Sequence, residues 1–355
     1  MTYGRIGPAD LAAQHLALAD DIEREVLRVL RSGSYILGTE VAAFEAELAR
    51  YVGARHVVAC GSGTGALTLS LLALGVGPGD EVIVPAFTIF VDAEVVSLLG
   101  ATPVFADVDP RTAAIDPARV VITPRTKAII AADLYGVPAD IDALRALGVP
   151  VIEDAAQALG SSLHGRAAGT LGDFGCFSFF PTKNLGACGD GGAIVVADDA
   201  RAEQLRRLRV HGAAAKYRHE AIGLNSRLDE LQAAILRVKL RHLPAAQARR
   251  AAIAKRYDAA LTPGFAPPAG FVTNHHLYTL RHARRDELRA HLAAHGIDAA
   301  VHYPLAAFQQ PVYRHAAGGD LPVATQLAAE VLSLPCHAQL TDDDVERVIA
   351  AVRSF

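Results

Sequence analysis

Cysteine is scarce. Cys60, Cys176, Cys188 and Cys336 are the only four in 355 residues, they form no CxxC pair, and each stands in apolar or glycine-rich surroundings. That leaves neither a disulfide framework nor a cysteine zinc site, and predicts reduced thiols in a cytoplasmic protein. Excess positive charge is missing too: 34 Lys and Arg against 38 Asp and Glu give a formal charge of −4 with both signs interspersed. Without a basic stripe, nucleic acid is excluded as a partner. The basic residues of 237–256 recur at helical spacing among alanines and leucines and read as a solvated helix face. No run of about eighteen uncharged apolar residues could cross a membrane, and the amino terminus lacks the basic-then-apolar layout of an export signal. His291 and His295 stand four apart, but Leu-Ala-Ala between them lacks the glutamate of a metalloprotease helix, so no metal is expected.

What is present is a globular composition, 51% hydrophobic and 20% charged. Between residues 20 and 200 helical patterns (20–31, 39–51, 64–75, 91–99, 139–147) alternate with short β-branched runs (56–60, 81–84, 102–106, 127–132, 149–153, 192–197). Strands separated by helices imply parallel pairing, hence an α/β fold with a mostly parallel central sheet flanked by helices. The Ala, Leu, Arg and Lys-rich stretch 227–262 predicts a long helix, broken or kinked at Pro244. It should join a large α/β domain, 1–235, to a smaller α+β C-terminal domain, 236–355, with a strand near 275–281 and helices at 285–295 and 341–353.

The chemistry concentrates in two segments. Asp154 closes the apolar run Val151-Ile152-Glu153-Asp154, and Lys183 follows twenty-nine residues later in Phe177-Ser178-Phe179-Phe180-Pro181-Thr182-Lys183-Asn184. A desolvated lysine loses its proton easily and can attack an aldehyde. A carboxylate at the far end of the same group would keep a pyridine nitrogen protonated, which makes the ring an electron sink. The pair therefore suggests pyridoxal 5′-phosphate, held as an imine on Lys183. Residues 57–69 read as strand, glycine turn and helix, a geometry that aims N–H groups and the positive end of a helix dipole at an anion. Gly61, Gly63 and Ala66 also fit a dinucleotide fingerprint. Against a nicotinamide cofactor, the turn lies outside the first βαβ unit, Asp80 and Glu81 follow a Gly-Pro-Gly turn instead of ending a strand, and Lys183 is left without employment. A single phosphate on Ser62, Gly63 and Thr64, with Ser178 adding a hydroxyl, uses the turn more economically. Phe87 is a candidate to cover one face of the ring, and Gln157, one turn past Asp154, to bond its phenolic oxygen.

These residues, with Gly79-Asp80-Glu81-Val82-Ile83-Val84-Pro85, Gly189-Asp190-Gly191-Gly192, Asn225-Ser226-Arg227-Leu228-Asp229-Glu230 and His302-Tyr303-Pro304, resemble in kind and order the nucleotide-sugar aminotransferases of the DegT/StrS family, fold-type I pyridoxal-phosphate enzymes. The resemblance implies Lys183 as the imine lysine and its general acid/base, and Asp154 on the ring nitrogen. It places Gln157 on the ring face and Ser62, Gly63, Thr64 and Ser178 around the phosphate. It also implies a homodimer in which Asn225 reaches the neighbour's cofactor, and substrate contacts from Arg227, His302 and Tyr303. The activity implied is transfer of an amino group, with L-glutamate as donor, to a nucleotide-linked sugar ketone. Residues 216–234 look most like relatives that aminate C3 of a 3-keto sugar. Amination of a 4-keto sugar or a cyclitol ketone, a dehydratase and a non-catalytic regulator are the alternatives; relatives that dehydrate carry histidine where Lys183 stands. In two places the chain departs from the family pattern: Gly65 stands where alanine is common, and Ala132-Asp133 where histidine or serine is.

Overall fold

The computed structural model describes residues 4–314 and 320–355. Seven strands build the central sheet: β1 (His56–Cys60), β2 (Glu81–Pro85), β3 (Thr102–Ala106), β4 (Thr126–Ala132), β5 (Val151–Asp154), β6 (Phe174–Ser178) and β7 (Gly192–Val196), in the order β1-β7-β6-β5-β4-β2-β3. β2, β3, β4, β5 and β6 pair in parallel, whereas β7 runs antiparallel to both neighbours. The exception has a simple cause. A parallel return needs a crossover, usually helical, but residues 179–191 form only turns and bends, so the chain comes straight back.

The expected strands 56–60, 81–84, 102–106, 127–132, 149–153 and 192–197 appear within two residues of their bounds. β6 was not expected. Gly175 in its centre reads as a turn signal, but a Cβ there would stand 1.8 Å from the carbonyl oxygen of Gly169. The glycine admits a neighbouring backbone to a strand interior. Around the sheet lie α1 (Ala19–Ser32), α2 (Thr39–Val52), α3 (Gly63–Ala73), α4 (Val91–Leu98) and α5 (Asp199–Leu208); the helix expected over 139–147 shrinks to Ile141–Arg145.

α6 (Glu230–Ala260) runs through Pro244 without a break, contrary to expectation. One proline removes a single donor. On either side the helix is held by packing: Leu236, Leu240 and Leu243 enter one apolar cluster with α2 and β1, and Ile253, Ala254 and Tyr257 enter another. That second cluster takes in the two-stranded sheet of β8 (Tyr278–Arg281) and β9 (Val331–Leu334), with α7 (Arg285–Ala294) and α9 (Asp342–Arg353). Residues 306–314 and 320–331, including α8 (Pro322–Glu330), instead contribute Ala306, Tyr313, Leu327 and Val331 to the large cluster around β2 and β4. The chain before them, at His302 and Tyr303, is thereby brought to the carboxyl edge of the sheet.

Candidate active site

Most of the pieces converge where α/β sheets habitually bind ligands, outside the carboxyl ends of the parallel strands. β1 ends at Cys60 and turns into α3; β5 ends on Asp154; β6 ends on Ser178 and leads into the connection that carries Lys183. Between them lies a cavity of about 360 Å³. Its walls include Ser62, Gly63, Thr64, Asp154, Gln157, Ser178, Lys183, His302 and Tyr303, nine of the twelve residues singled out from the sequence. Larger clefts of about 720 and 690 Å³ lie over Arg289–Val301 and over Val104–Arg119, away from these groups.

The turn is built to receive an anion. Ser62 caps α3, its Oγ accepting the Gly65 N–H at 3.0 Å, while its carbonyl accepts from Ala66. Gly63 and Thr64 open the helix, where N–H groups have no acceptor one turn back. A Cβ on Gly63 would stand 2.7 Å from the Cβ of Ser178, so glycine lets the turn close against the end of β6.

Lys183 sits in a turn whose backbone N–H donates to the Phe180 carbonyl at 2.9 Å. Burial lowers the pKa of its amine, while Asp154 and Asp92 oppose that shift. Asp154 is 7% exposed; its Oδ1 accepts the Ala156 N–H at 3.0 Å. Burial raises its pKa, opposed by the Ala156 bond, Lys183 and Asp92. Gln157 is fixed at both ends: Oε1 accepts the Tyr135 N–H at 2.7 Å and Nε2 donates to the Tyr303 hydroxyl at 3.4 Å, leaving one amide hydrogen for a ligand. The Tyr135 hydroxyl donates to the His302 carbonyl, and His302 Nδ1 meets Ser333 Oγ at 3.2 Å.

Three sequence candidates lie outside this cavity. Phe87 has no exposed surface and packs in the core, so it cannot cover a ligand's face; Ile89 and Val91 line the wall instead. Asn225 is exposed and takes part in a backbone bridge with Val210, and Arg227 is half-buried with its backbone against Gly61. Conversely, sequence reasoning missed His276 and Asp92. His276 lines the cavity, bonds Asn184 Oδ1 through Nδ1 at 2.8 Å and, by burial, is held well below the usual imidazole pKa, hence neutral. It anchors the residue next to Lys183; its only sequence signal was a histidine pair, 275–276, just before a strand.

The donors suit pyridoxal phosphate: a helix start for the phosphate, an amine of depressed pKa for the aldehyde, and a buried acid opposite. The model of the DegT/DnrJ/EryC1/StrS aminotransferase family matches residues 17–353. A UDP-N-acetyl-3-dehydro-alpha-D-glucosamine 3-aminotransferase of Acidithiobacillus ferrooxidans is 46% identical, over 97% of this chain and 96% of its own length. The erythromycin biosynthesis sensory transduction protein EryC1 of Saccharopolyspora erythraea is 47% identical, over 97% and 98%. Among solved structures, DesV of Streptomyces venezuelae with a ketimine intermediate superimposes with a TM-score of 0.96 at 45% identity, over 99% and 98% of the two chains. More distant members of the same fold have been solved in PLP- and PMP-bound forms.

Proposed function

The chain belongs to the DegT/DnrJ/EryC1/StrS aminotransferase family, whose members work with pyridoxal phosphate, and from that premise we propose that it aminates the ketone of a nucleotide-linked sugar at C3. The single observation that carries the reading is the depressed amine of Lys183 in one cavity with Asp154 and the start of α3. When bound, pyridoxal phosphate supplies an aldehyde for amino-group exchange and a ring that stabilises negative charge on the adjacent carbon.

The protein's own part is then assignable. Gly63, Thr64, Ser62 and Ser178 would hold the phosphate, and Asp154 would keep the ring nitrogen protonated. Gln157, braced by Tyr135, would orient the ring through its free amide hydrogen. Lys183, whose amine burial shifts toward the neutral form, would hold the cofactor's aldehyde and, when free, would act as general acid/base, taking the proton from the donor's α-carbon in one half of the exchange and delivering one to the sugar carbon in the other. His302 and Tyr303 border the same space and are the proposed substrate contacts, with Arg227 as a third. L-Glutamate is the proposed donor.

C3 amination draws its support from the relatives' names, which describe 3-amino and 3-keto sugars. EryC1's name is regulatory, which keeps a non-catalytic role as a second reading; the intact lysine, acid and phosphate turn count against it. A homodimer completed by Asn225, a cytoplasmic location and a division into units 1–235 and 236–355 belong to the same proposal. The apolar cluster around Tyr257, β8 and β9 supports the division, although Ala306, Tyr313 and α8 pack with the large sheet. Among the described residues no helix is long and apolar enough to cross a membrane.

The decisive experiment offers the enzyme, with glutamate, a panel of nucleotide-linked 3-keto and 4-keto sugars and identifies the product by mass and NMR. Amination confined to 3-keto sugars is expected, and Lys183→Ala should abolish both turnover and the cofactor's visible band. A colourless wild-type protein after incubation with pyridoxal phosphate would overturn the reading.

A further inference from the structure

Behind Asp154 stands a second acid that the reaction does not obviously need. Asp92, in the first turn of α4, is 0% exposed. Its Oδ2 accepts the hydroxyl of Thr88, itself buried, at 2.5 Å. Its Oδ1 is sealed from solvent and meets no donor among the described residues. Yet its carboxyl group lies within hydrogen-bonding reach of the Asp154 carboxyl. Two ionised carboxylates cannot share such a site; one of the pair must keep a proton, which then bridges them.

The surroundings decide which. Asp154 has the Ala156 N–H, an opening to the cavity and the larger share of Lys183's attraction. Asp92 has one hydroxyl and no opening. The other titratable groups that feel the pair are Tyr303, whose phenol is pushed up by burial and by both acids, Cys176, whose thiol is likewise pushed up, and Asp133, whose carboxyl is raised by burial and Glu153 and further by Asp154. None of them supplies positive charge to Asp92. Burial, then the charge of Asp154, moves the Asp92 carboxyl well above the usual range.

We propose that Asp92 is a neutral carboxylic acid that donates its proton as a hydrogen bond to Asp154, a positioning residue that holds the Asp154 carboxylate ionised and aimed into the cavity. The inference rests on the reading of Asp154 as the ring-nitrogen carboxylate and adds a residue to it. Thr88 completes the relay: its hydroxyl occupies Oδ2, which leaves Oδ1 as the protonated oxygen. The arrangement gives the site one net negative charge instead of two, so Asp154 can face a protonated pyridine without a competing anion behind it.

Asp92→Asn separates this from a structural role, because an amide is neutral and can donate where the acid's proton does, whereas Asp92→Leu keeps the forked shape, is bulkier and donates nothing. In the infrared difference spectrum of wild type minus Asp92→Asn, with ¹³C-labelled aspartate, a protonated-carboxyl stretch should be present at neutral pH. This arm needs no cofactor, so it decides the pair even if pyridoxal phosphate proves not to be the ligand. In the loaded enzyme, Asp92→Asn should keep cofactor affinity within about threefold and leave the pH midpoint of the visible band in place. Asp92→Leu should weaken cofactor binding ~10- to 100-fold, the loss of one hydrogen bond to a buried charge, and move that midpoint upward. No carboxyl band, or an Asp92→Asn protein as impaired as Asp92→Leu, would overturn the proposal, as would a Leu variant indistinguishable from wild type. Should Asp92→Leu fail to fold, the infrared band and the Asn variant still decide the question.

Discussion

Gly65 is one of the two positions at which the chain departs from the pattern it resembles, and the structure supplies a reason that can be tested quantitatively. Gly65 lies in the first turn of α3, so its backbone is ordinary helix and alanine should gain up to about 1 kcal/mol in propensity. The obstacle is across the turn. A Cβ at position 65 would stand 2.4 Å from Ser226 Oγ, about 1 Å inside ordinary contact. That hydroxyl is occupied: it accepts the Gly61 N–H at 3.1 Å and ties the glycine turn to the segment carrying Arg227. Gly65→Ala must swing Ser226 away, which forfeits a hydrogen bond of ~1 kcal/mol and adds overpacking of ~1–3 kcal/mol. Set against the propensity gain, the net loss is ~1–3 kcal/mol.

Ser226→Ala alone should cost ~1 kcal/mol for the unpartnered Gly61 N–H. The double variant has room, since the new Cβ would meet the residue 226 Cβ at 3.6 Å, an ordinary contact. It should therefore return close to wild type, giving a favourable coupling of ~2–4 kcal/mol between the two substitutions. Urea unfolding of the four proteins of the cycle measures this directly, and cofactor titration follows the same turn from the functional side. Additivity within ~0.5 kcal/mol would show that Ser226 is not what excludes a side chain at 65.

Glu230 is 2% exposed and accepts the N–H groups of Gly38, Glu40 and Val41 at 2.8, 2.9 and 2.9 Å, capping α2 from 190 residues away in place of the side-chain cap that Gly38 lacks. Glu230→Ala should destabilise the chain by ~3–4 kcal/mol in urea unfolding, as three buried N–H groups lose their acceptor; a loss under ~1 kcal/mol would contradict that role. Stability should also depend on pH through buried groups of opposite sense. Burial holds His276 and His302 below the ordinary 6.5, so the stability they contribute is complete above that value and is lost as the pH falls through the range beneath it. His276→Gln should flatten the acid limb of a melting-temperature profile. Asp133 runs the other way: burial and the charge of Glu153 raise its carboxyl well above 3.8, so its contribution declines as pH rises through the raised value. Asp133→Asn, which can still donate to Glu153, should flatten the decline that sets in as pH rises from 3.8, and an unchanged slope would place the proton elsewhere.

How far the site could be read from the chain depended on whether each role was local. Lys183, Asp154 and the Ser62-Gly63-Thr64 turn each combine a residue type with a neighbouring element end, and all reach the cavity. Phe87 fails because aromatic character says nothing about which way a side chain leaves a strand end: β2 stops at Pro85, Phe87 turns into the core, and the wall falls to Ile89. β6 and the antiparallel β7 escaped for a related reason, since a mid-strand glycine and a missing crossover helix acquire meaning only once Gly169 and the Lys183 connection are in place.

Asp92 shows where such reading stops. An acid in the first turn of a helix is explained by the helix dipole alone, and nothing within α4 distinguishes a solvated aspartate from one turned inward. What distinguishes it is Asp154, sixty-two positions on, at the end of a strand not adjacent to β2 in the sheet. The same holds for Asp133, whose Oδ1 accepts the Ala139 N–H while its Oδ2 is buried without a donor among the described residues, within hydrogen-bonding reach of Glu153. Glu153 in turn accepts from Gly169, Leu171 and Gly172. Successive residues of β5 point to opposite faces, so Glu153 and Asp154 each meet a partner acid on their own side of the sheet. Burial and the neighbouring acid push one carboxyl upward on each face, Asp92 beside Asp154 and Asp133 beside Glu153, and that coupling is a property of the folded sheet, visible in no segment of the chain by itself.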